Sequence, residues 1–163
     1  MILVTLGTIN FPFPRMTDWL RVLLEQKVIS ESVLYQHGAT SSDSLNNPLV
    51  QKLPMISKEQ MQQSIRESRL IISHAGQGST KMLLESGKSF IIVPRLQRFK
   101  EHIDDHQLDF SRAMQRLGIP YAETLEALTT FLNNPPPAPG TSFQVPRLVD
   151  YLREKYPGQR QPE

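Results

Sequence analysis

Residues 74–80 have the residue types of a phosphate-binding turn. They read HAGQGST and follow a short apolar run, residues 70–73, of the kind that forms a buried parallel strand. A helix is predicted to begin at Ser79 and Thr80, with Gly87 just past its end. Because the glycines leave backbone N–H groups uncovered at the helix N-terminus, the turn is suited to an anion such as phosphate. The same glycines could instead serve only to pack the helix against the strand.

A second polar stretch, residues 95–107, follows the next predicted strand. It reads RLQRFKEHIDDHQ, comes after the apolar run 90–93 and carries three cations ahead of its histidines. A charge run is usually a solvated face, which is the default interpretation of Arg95, Arg98 and Lys100. Consecutive parallel strands end at the same edge of a sheet, where open α/β sheets bind ligands. Both polar stretches are therefore expected at one site, which a nucleotide with a polar group attached would fit.

His102 and His106 are spaced i, i+4 and raise the question of a metal site. Acidic residues stand around them at Glu101, Asp104 and Asp105. Metal sites usually need a third ligand of fixed geometry and supporting outer hydrogen bonds, and the sequence identifies no matching partner. No metal is therefore predicted, and a metal hydrolase remains a minor alternative.

The rest of the sequence supplies the elements that would position these stretches. Short apolar runs predict strands at residues 2–6, 33–36, 50–53, 70–73, 90–93 and 119–122. Apolar residues at helical spacing predict helices between them, one of which starts with a capping box formed by Ser57 and Gln60. This alternation predicts the α/β class, with a Rossmann-like parallel sheet, helices on both faces and right-handed crossovers.

Length and composition limit the classes of protein. The 163 residues suffice for one domain, predicted at 1–132, with a proline-rich linker at 133–140 and a C-terminal helix and tail at 141–163. A net charge of +2 argues against a nucleic-acid binder, and the lack of cysteine excludes disulfide and thiolate chemistry. No apolar run approaches the ~18 residues of a transmembrane helix and no signal peptide is evident. A soluble, cytoplasmic protein is expected.

Three segments of the sequence resemble a known family of enzymes. They are ISHAGQGST with GKSFIIVPR, then FKEHIDDHQ, and the N-terminal ILVTLGTINFPFPRM. Together they are similar to the C-terminal, donor-binding domain of glycosyltransferase family 28, the MurG-like enzymes, which is one half of a GT-B glycosyltransferase. Within that family the sequence looks most like the small PssE/EpsF-type subunits of bacterial exopolysaccharide assembly and the catalytic subunit of the dolichol-linked N-acetylglucosamine transferase. The resemblance covers about residues 1 to 122.

The resemblance implies a UDP-sugar as donor substrate, with no obligatory cofactor or metal. The diphosphate would lie against the glycine turn, and the sugar against the start of the helix after residue 104. His74 would donate a hydrogen bond to phosphate or sugar, although a structural histidine is the usual case. As the alternative to a solvated face, Arg95, Arg98 and Lys100 would neutralise the diphosphate, or a uronic acid carboxylate if the donor carries one. The implied donor-binding residues are Gly7, Thr8, His74, Gly76, Gln77, Gly78, Ser79, Thr80, Arg95, His102, Asp105, His106 and Gln107, with Met55, Ile56 and Ser57 near the base.

One position departs from the family pattern. MurG-like enzymes place an acidic residue, which binds the ribose hydroxyls, five positions before the glycine that closes the helix, and Met82 stands there. Glu85 lies a turn further from the N-terminus and is expected to be a surface or partner contact. Ribose binding is therefore expected to be weaker or to use other groups.

The resemblance also implies a partner. Two-domain relatives take the base from their acceptor-binding half, and beyond His74 the sequence offers no candidate base. The expected protein is the donor-binding and catalytic subunit of a heteromeric, UDP-sugar-dependent hexosyltransferase that acts on a polyprenyl-diphosphate-linked acceptor in exopolysaccharide or capsule assembly. A membrane-associated PssD/EpsE-type subunit would supply the acceptor site and hold the chain at the inner face of the membrane. Residues 145–156 would reach that partner or pack on their own domain. The alternative is a non-catalytic nucleotide-sugar-binding or scaffolding subunit.

Overall fold

The computed structural model describes residues 1–139, which form a five-stranded parallel sheet with flanking helices. The strands are β1 Ile2–Thr5, β2 Val33–Gln36, β3 Val50–Leu53, β4 Leu70–His74 and β5 Phe90–Val93. Their order is β3-β2-β1-β4-β5, and every pairing is parallel. The predicted Rossmann-like sheet is confirmed. The order of the strands reverses between β1 and β4, which is the switch point of such a sheet.

Helices cover both faces of the sheet. They are α1 Pro14–Glu25, α2 Lys58–Glu67, α3 Gln77–Ser86, α4 His106–Arg116 and α5 Leu125–Asn133. A cluster on one face, which includes Val4, Leu20 and Leu128, joins the sheet to α1 and α5. A second cluster joins the other face to α2, α3 and α4. Burial on both faces explains why β1, β4 and β5 are apolar over most of their length.

Local signals in the sequence fix several helix ends. Ser57 and Gln60 form the predicted capping box, because Ser57 Oγ accepts a hydrogen bond from Gln60 N at 3.2 Å and Gln60 Oε1 accepts one from Ser57 N at 2.9 Å. Pro14 begins α1, where its missing N–H is not needed. Gly87 follows α3 with φ of 63°, in the left-handed region that favours glycine.

Two predicted elements differ from the structure. Helix α3 begins at Gln77, two residues before the predicted start, because Gly76 already serves as its N-cap in extended conformation. The predicted sixth strand at 119–122 is wrong, since this segment forms only one isolated bridge, to Ile92. Pro120 has no N–H to donate, so pairing with β5 is limited to two hydrogen bonds.

Part of the predicted C-terminal region lies outside the described residues. The linker at 133–140 is described up to residue 139, and the Ser89 hydroxyl donates a hydrogen bond of 2.6 Å to the carbonyl of Pro136. The predicted helix at 145–156 and the tail at 141–163 fall beyond residue 139. No helix within residues 1–139 has the length and apolar character needed to cross a membrane.

Candidate functional site

A cleft of about 390 Å³ opens at the carboxyl ends of the strands, at the switch point between β1 and β4. Its walls come from the strand ends, the start of α3 and the segment before α2. Parallel α/β sheets bind ligands at this position. The residues that line it are the predicted Gly7, Thr8, His74, Gly76, Gly78, Ser79, Met55 and Ile56, joined by Thr5, Ile9, Gln36 and Met61.

The imidazole of His74 lies between two glycines. A Cβ atom at Gly7 would stand 2.4 Å from His74 Nε2, and a Cβ atom at Gly76 would stand 2.2 Å from His74 Cε1. Both distances are far inside van der Waals contact, so a side chain at either position would displace the ring. Gly7 also has φ of +74°, a conformation that residues with a side chain rarely adopt. The two glycines thus make room for a buried ring between the ends of β1 and β4.

His74 is neutral in the folded protein. Burial, reinforced by the charge of Arg95, lowers the pKa of His74 to about 3. Its Nε2 lies 3.1 Å from Ser79 Oγ, whereas Nδ1 is buried without a hydrogen-bond partner among residues 1–139. A buried N–H group without an acceptor costs more free energy than a buried nitrogen lone pair without a donor. We therefore place the proton on Nε2. Nε2–H then donates to Ser79 Oγ, which leaves the Ser79 hydroxyl hydrogen free to bind an anion.

The first turn of α3 supplies free backbone donors beside this ring. Gly76 is the N-cap and has no side chain to cap the helix, so the N–H groups of Gln77, Gly78 and Ser79 have no intrahelical partners. A Cβ atom at Gly78 would meet no protein atom within 4 Å. Open space therefore adjoins the helix end, where the donors and the helix dipole both favour an anion.

Thr80 corrects one predicted contact. It is fully buried, and both its N–H and its hydroxyl donate to the carbonyl of Gly76, each at 2.9 Å. Serine and threonine often bond back to the carbonyl four residues earlier in this way. Thr80 therefore closes the turn and is turned away from any phosphate, which leaves the preceding three residues as the available donors.

An apolar wall stands opposite the polar turn residues. Met55 and Ile56 line the cleft as predicted, but Ser57 does not, because its hydroxyl caps α2. Met61 joins them, although its helical spacing predicts only a place on the buried face of α2. Met55 is 57% exposed, and flexible thioether side chains adapt well to a flat apolar ligand.

Gln36, which is absent from the sequence-based prediction, holds the cleft together. Its Oε1 accepts hydrogen bonds from Thr5 Oγ1 at 2.7 Å and from Gly7 N at 3.1 Å. Its Nε2 donates to the carbonyls of Gly7 at 2.8 Å and Pro54 at 3.0 Å. The turn after β1 is thereby fixed relative to the segment before α2. A polar residue at the end of an apolar strand is the one signal of this role in the sequence.

Arg95 is not the solvated or diphosphate-binding residue that the sequence predicts. It is 1% exposed, and its guanidinium donates to the carbonyls of Leu6 at 2.8 Å and Phe11 at 2.6 Å. Burial lowers the pKa of Arg95 to about 10, so the group stays charged at pH 7. Arg95 therefore contributes a buried positive charge near His74, and its side chain is closed off from solvent.

Two other predicted sugar contacts are used within the protein. Gln107 is buried, and its Oε1 accepts a hydrogen bond from Arg95 N at 3.2 Å. Asp105 is the N-cap residue of α4, but its Oδ1 accepts a hydrogen bond from Gln97 N, at 2.8 Å, and none from the helix. Both side chains fix the loop between β5 and α4 through these oxygens, and their role in binding sugar hydroxyls stays a prediction.

A buried ion pair anchors the same loop to α1. The two carboxylate oxygens of Glu101 accept hydrogen bonds from Arg15 Nε at 2.9 Å and Arg15 Nη2 at 2.8 Å. The Glu101 side chain is fully buried and that of Arg15 is 12% exposed. The guanidinium also lies over the ring of Trp19, 4.6 Å from its centroid. Glu101 is therefore a structural residue, which removes it from the possible metal ligands.

Three side chains converge at the surface where α4 begins. His102 Nδ1 lies 3.1 Å from Asp104 Oδ1, which is also hydrogen-bonded to His106 Nδ1. The two imidazoles meet edge to face with centroids 4.4 Å apart, and Phe11 stacks on His102 at 5.4 Å. The fold thus brings Asp104 to the two histidines as the third partner that their spacing alone could not identify.

Comparison with known protein families decides the membership of the chain. The family described as the glycosyltransferase family 28 C-terminal domain matches residues 1–138. The chain belongs to this family. The comparison with curated proteins gave no match.

Three of the solved structures similar to this family 28 domain are glycosyltransferases. MurG of Acinetobacter baumannii is 21% identical with a TM-score of 0.60, and the match covers 81% of this chain and 40% of that one. The glycotransferase of kitacinnamycin is 19% identical with a TM-score of 0.57, covering 94% and 38%. SnogD from Streptomyces nogalater is 17% identical with a TM-score of 0.55, covering 92% and 43%. The chain thus spans about two fifths of each, and its fold is that of one half of a GT-B glycosyltransferase.

In this family 28 domain, Met82 lies away from the cleft. It packs against the core and lines a separate groove between α2 and α3, together with Ile65 and Glu85. The residues that line the cleft, all within the described range, include neither Asp nor Glu. An acid that could bind ribose hydroxyls is therefore missing from the cleft of the described domain.

The neutral state of His74 predicts a loss of stability in acid. The pKa of this histidine is near 6.5 in the unfolded chain and about 3 in the folded protein. Between pH 3 and pH 6.5 the unfolded chain therefore binds a proton at His74 that the folded protein does not bind. The contribution of neutral His74 to the free energy of unfolding should be fully present above pH 6.5. It should fall as the pH drops, by up to about 1.4 kcal/mol per pH unit. Urea unfolding at pH 7.5, 6 and 5 measures it.

The matched variant for this experiment is His74→Gln, which should lose most of that pH dependence. Burial also lowers the pKa of His102, which contributes in the same direction, so His102→Gln measures the smaller share. Working at pH 5 and above avoids most of the titration of carboxylates. An unchanged pH dependence in His74→Gln would show that the buried ring is not neutral.

Proposed function

We propose that the domain binds the UDP part of a UDP-sugar in the cleft and acts as the donor-binding and catalytic part of a hexosyltransferase. The observation that carries this proposal is the open space at the N-terminus of α3, where three free N–H groups adjoin His74 and the Ser79 hydroxyl. Such donors can bind a diphosphate without a metal, because they offset the negative charge that develops on the leaving group. Membership of family 28 supports glycosyl transfer as the reaction class.

The other cleft walls suit the remaining parts of the donor. Met55, Ile56 and Met61 offer an apolar surface for the uracil ring, and Gly7 and Thr8 border the diphosphate from the β1 side. A volume of about 390 Å³ falls within the ~300–1,000 Å³ common for small-molecule sites. We place the sugar toward the start of α4, where the predicted contacts His102 and His106 retain partly exposed rings.

The acceptor half of the reaction is proposed to come from a second domain or subunit. Transfer with inversion needs a base for the acceptor hydroxyl, and no carboxylate lines the cleft in the described domain. His74 is a poor base, since its pKa is low and its Nδ1 is buried. We propose a membrane-associated PssD/EpsE-type partner that supplies the base and a polyprenyl-diphosphate-linked acceptor, for exopolysaccharide or capsule assembly at the cytoplasmic face.

Thermal unfolding of the full chain with UDP and a panel of UDP-sugars, each in EDTA and in Mg²⁺, tests donor binding. A ligand at ten times its dissociation constant adds about 1.4 kcal/mol, which corresponds to a rise of a few degrees in Tm. We expect a rise of equal size in EDTA and in Mg²⁺, with one UDP-sugar exceeding UDP itself. No rise with any of these ligands, with or without the partner subunit, would reject the proposal.

Met82 favours one second candidate, a nucleotide-sugar-binding or scaffolding subunit without activity. It stands where the family pattern has an acid for the ribose, and the cleft contains no replacement within residues 1–139. This candidate predicts a UDP-sugar-induced rise in Tm but no sugar transfer when the partner and the lipid-linked acceptor are supplied. Turnover under those conditions would exclude it.

A further inference from the structure

We propose that His102, Asp104 and His106 form a binding site for a divalent transition-metal ion of the zinc type. Each residue offers one ligand atom, and these atoms all lie within 4.8 Å of one another. Two imidazole nitrogens and one carboxylate oxygen suit Zn²⁺, whereas Mg²⁺ prefers an octahedral set of oxygens. The site goes beyond the proposed binding of UDP, which needs no metal, and it uses the two histidines beside which the sugar is placed.

The ligand atoms now lie within 4.8 Å of one another, so their separations would change by up to about 1.4 Å to accept an ion. Bonds of ~2.1 Å in a tetrahedral site place neighbouring ligand atoms about 3.4 Å apart. His102 Nδ1 and Asp104 Oδ1 are already 3.1 Å apart, and His106 Nδ1 is hydrogen-bonded to the same oxygen. The ion would take the place of the hydrogen-bonding protons between these atoms.

The turn that carries the ligands is held in place by its surroundings. Gln97 Nε2 donates to the carbonyl of Ile103 at 2.9 Å, and Gln97 N donates to Asp105 Oδ1 at 2.8 Å. Phe11 stacks on the ring of His102 and limits its rotation. Because outer contacts of this kind orient metal ligands in advance, less ordering is needed when the ion binds.

The partial exposure of the ligands indicates an accessible site. The side chain of Asp104 is 54% exposed, that of His106 33% and that of His102 12%. Three protein ligands leave open a coordination position, which closed structural zinc sites with four protein ligands lack. Water or a small anion from solvent would fill it.

Metal titration of the untagged full chain, stripped with EDTA and then freed of it, tests the site without nucleotide. Zn²⁺ is followed by competition with a coloured chelator, and Co²⁺ by its visible absorption. We expect one ion per chain, weakened at least about tenfold in His102→Gln and in Asp104→Asn, and no comparable binding of Mg²⁺. His37→Gln and Asp109→Asn are the matched controls and should bind as the unchanged chain does.

The proposal is overturned by any of three results. These are absence of Zn²⁺ binding by the unchanged chain, equal binding by the His102 and Asp104 variants, or binding of Mg²⁺ as tight as that of Zn²⁺. Circular dichroism of each variant separates lost ligands from lost fold. Since UDP binding in EDTA does not involve this ion, failure here leaves the proposed placement of UDP untouched, and a failure of UDP binding leaves the metal site untouched.

Discussion

Replacement of Gly78 by Asp is expected to weaken UDP binding about 100-fold while the domain stays folded. A side chain at this position meets open space, so no steric conflict with the protein arises. A carboxylate in the first turn of a helix is favourable for the helix itself. The same carboxylate would occupy the space proposed for the diphosphate and repel it, so we expect a loss of about 100-fold in affinity, or about 2.8 kcal/mol. Calorimetric titration with UDP and urea unfolding measure the two quantities.

Gly78→Asn is the matched control, because it adds nearly the same volume without the charge. Its loss of affinity should be clearly smaller than that of Gly78→Asp, and any difference between them should shrink at high salt. An unchanged affinity for UDP in Gly78→Asp would contradict the placement of the diphosphate at the start of α3. A fall in the free energy of unfolding would contradict the open space.

Glu101→Gln is expected to lower the free energy of unfolding more than any other single substitution proposed here. The change removes the negative charge from a buried pair and leaves the Arg15 guanidinium, whose side chain is only 12% exposed, without a counter-charge. Breaking such a pair on one side costs about 3–5 kcal/mol, because a charge remains in a poorly solvated place. Glu101 also accepts a hydrogen bond from Leu96 N at 2.9 Å, which ties the loop after β5 to the pair. Denaturant unfolding measures the loss.

The exposed pair of Arg98 and Glu123 provides the comparison. Its nitrogen and oxygen are 3.2 Å apart, but the side chains are 59% and 26% exposed, so Glu123→Gln should cost less than about 1 kcal/mol. The double variant Arg15→Met, Glu101→Leu should recover much of the loss in Glu101→Gln, since it removes both charges. Equal costs for Glu101→Gln and Glu123→Gln would show that the buried pair is better solvated than its exposure indicates.

The sheet could be predicted from the sequence because each strand carries its own signal. The strands β1, β4 and β5 are apolar runs buried on both faces, and turn-forming residues follow them. The roles of Gly87 and of the pair Ser57 and Gln60 are set by local sequence. Gly87 ends α3 in the left-handed conformation, and the pair forms the capping box of α2. The segment 119–122 was misleading because its composition suits a strand, while Pro120 withholds the donor that a ladder needs.

The direction of polar side chains could not be predicted in the same way. Thr80, Arg95 and Gln107 have types that bind phosphate or sugar, yet each bonds a backbone group of this chain. Which backbone groups remain unpaired depends on how distant segments meet, and local sequence does not contain that information. Gln36 shows the converse, since its four hydrogen bonds reach Thr5, Gly7 and Pro54 only after the strands have assembled.

The placement of His74 between two glycines also determines which substitutions these positions can accept. Glycine is required at position 7 for two reasons, the positive φ of the backbone and the His74 ring beside it. Gly76 has an ordinary backbone, so the ring alone excludes a side chain there. Whether position 76 can accept alanine therefore depends on the residue at position 74. Alanine would be tolerated there only in a chain that had first acquired a small residue at position 74. Substitution at the phosphate turn should thus follow a fixed order, with the histidine changing ahead of the glycine.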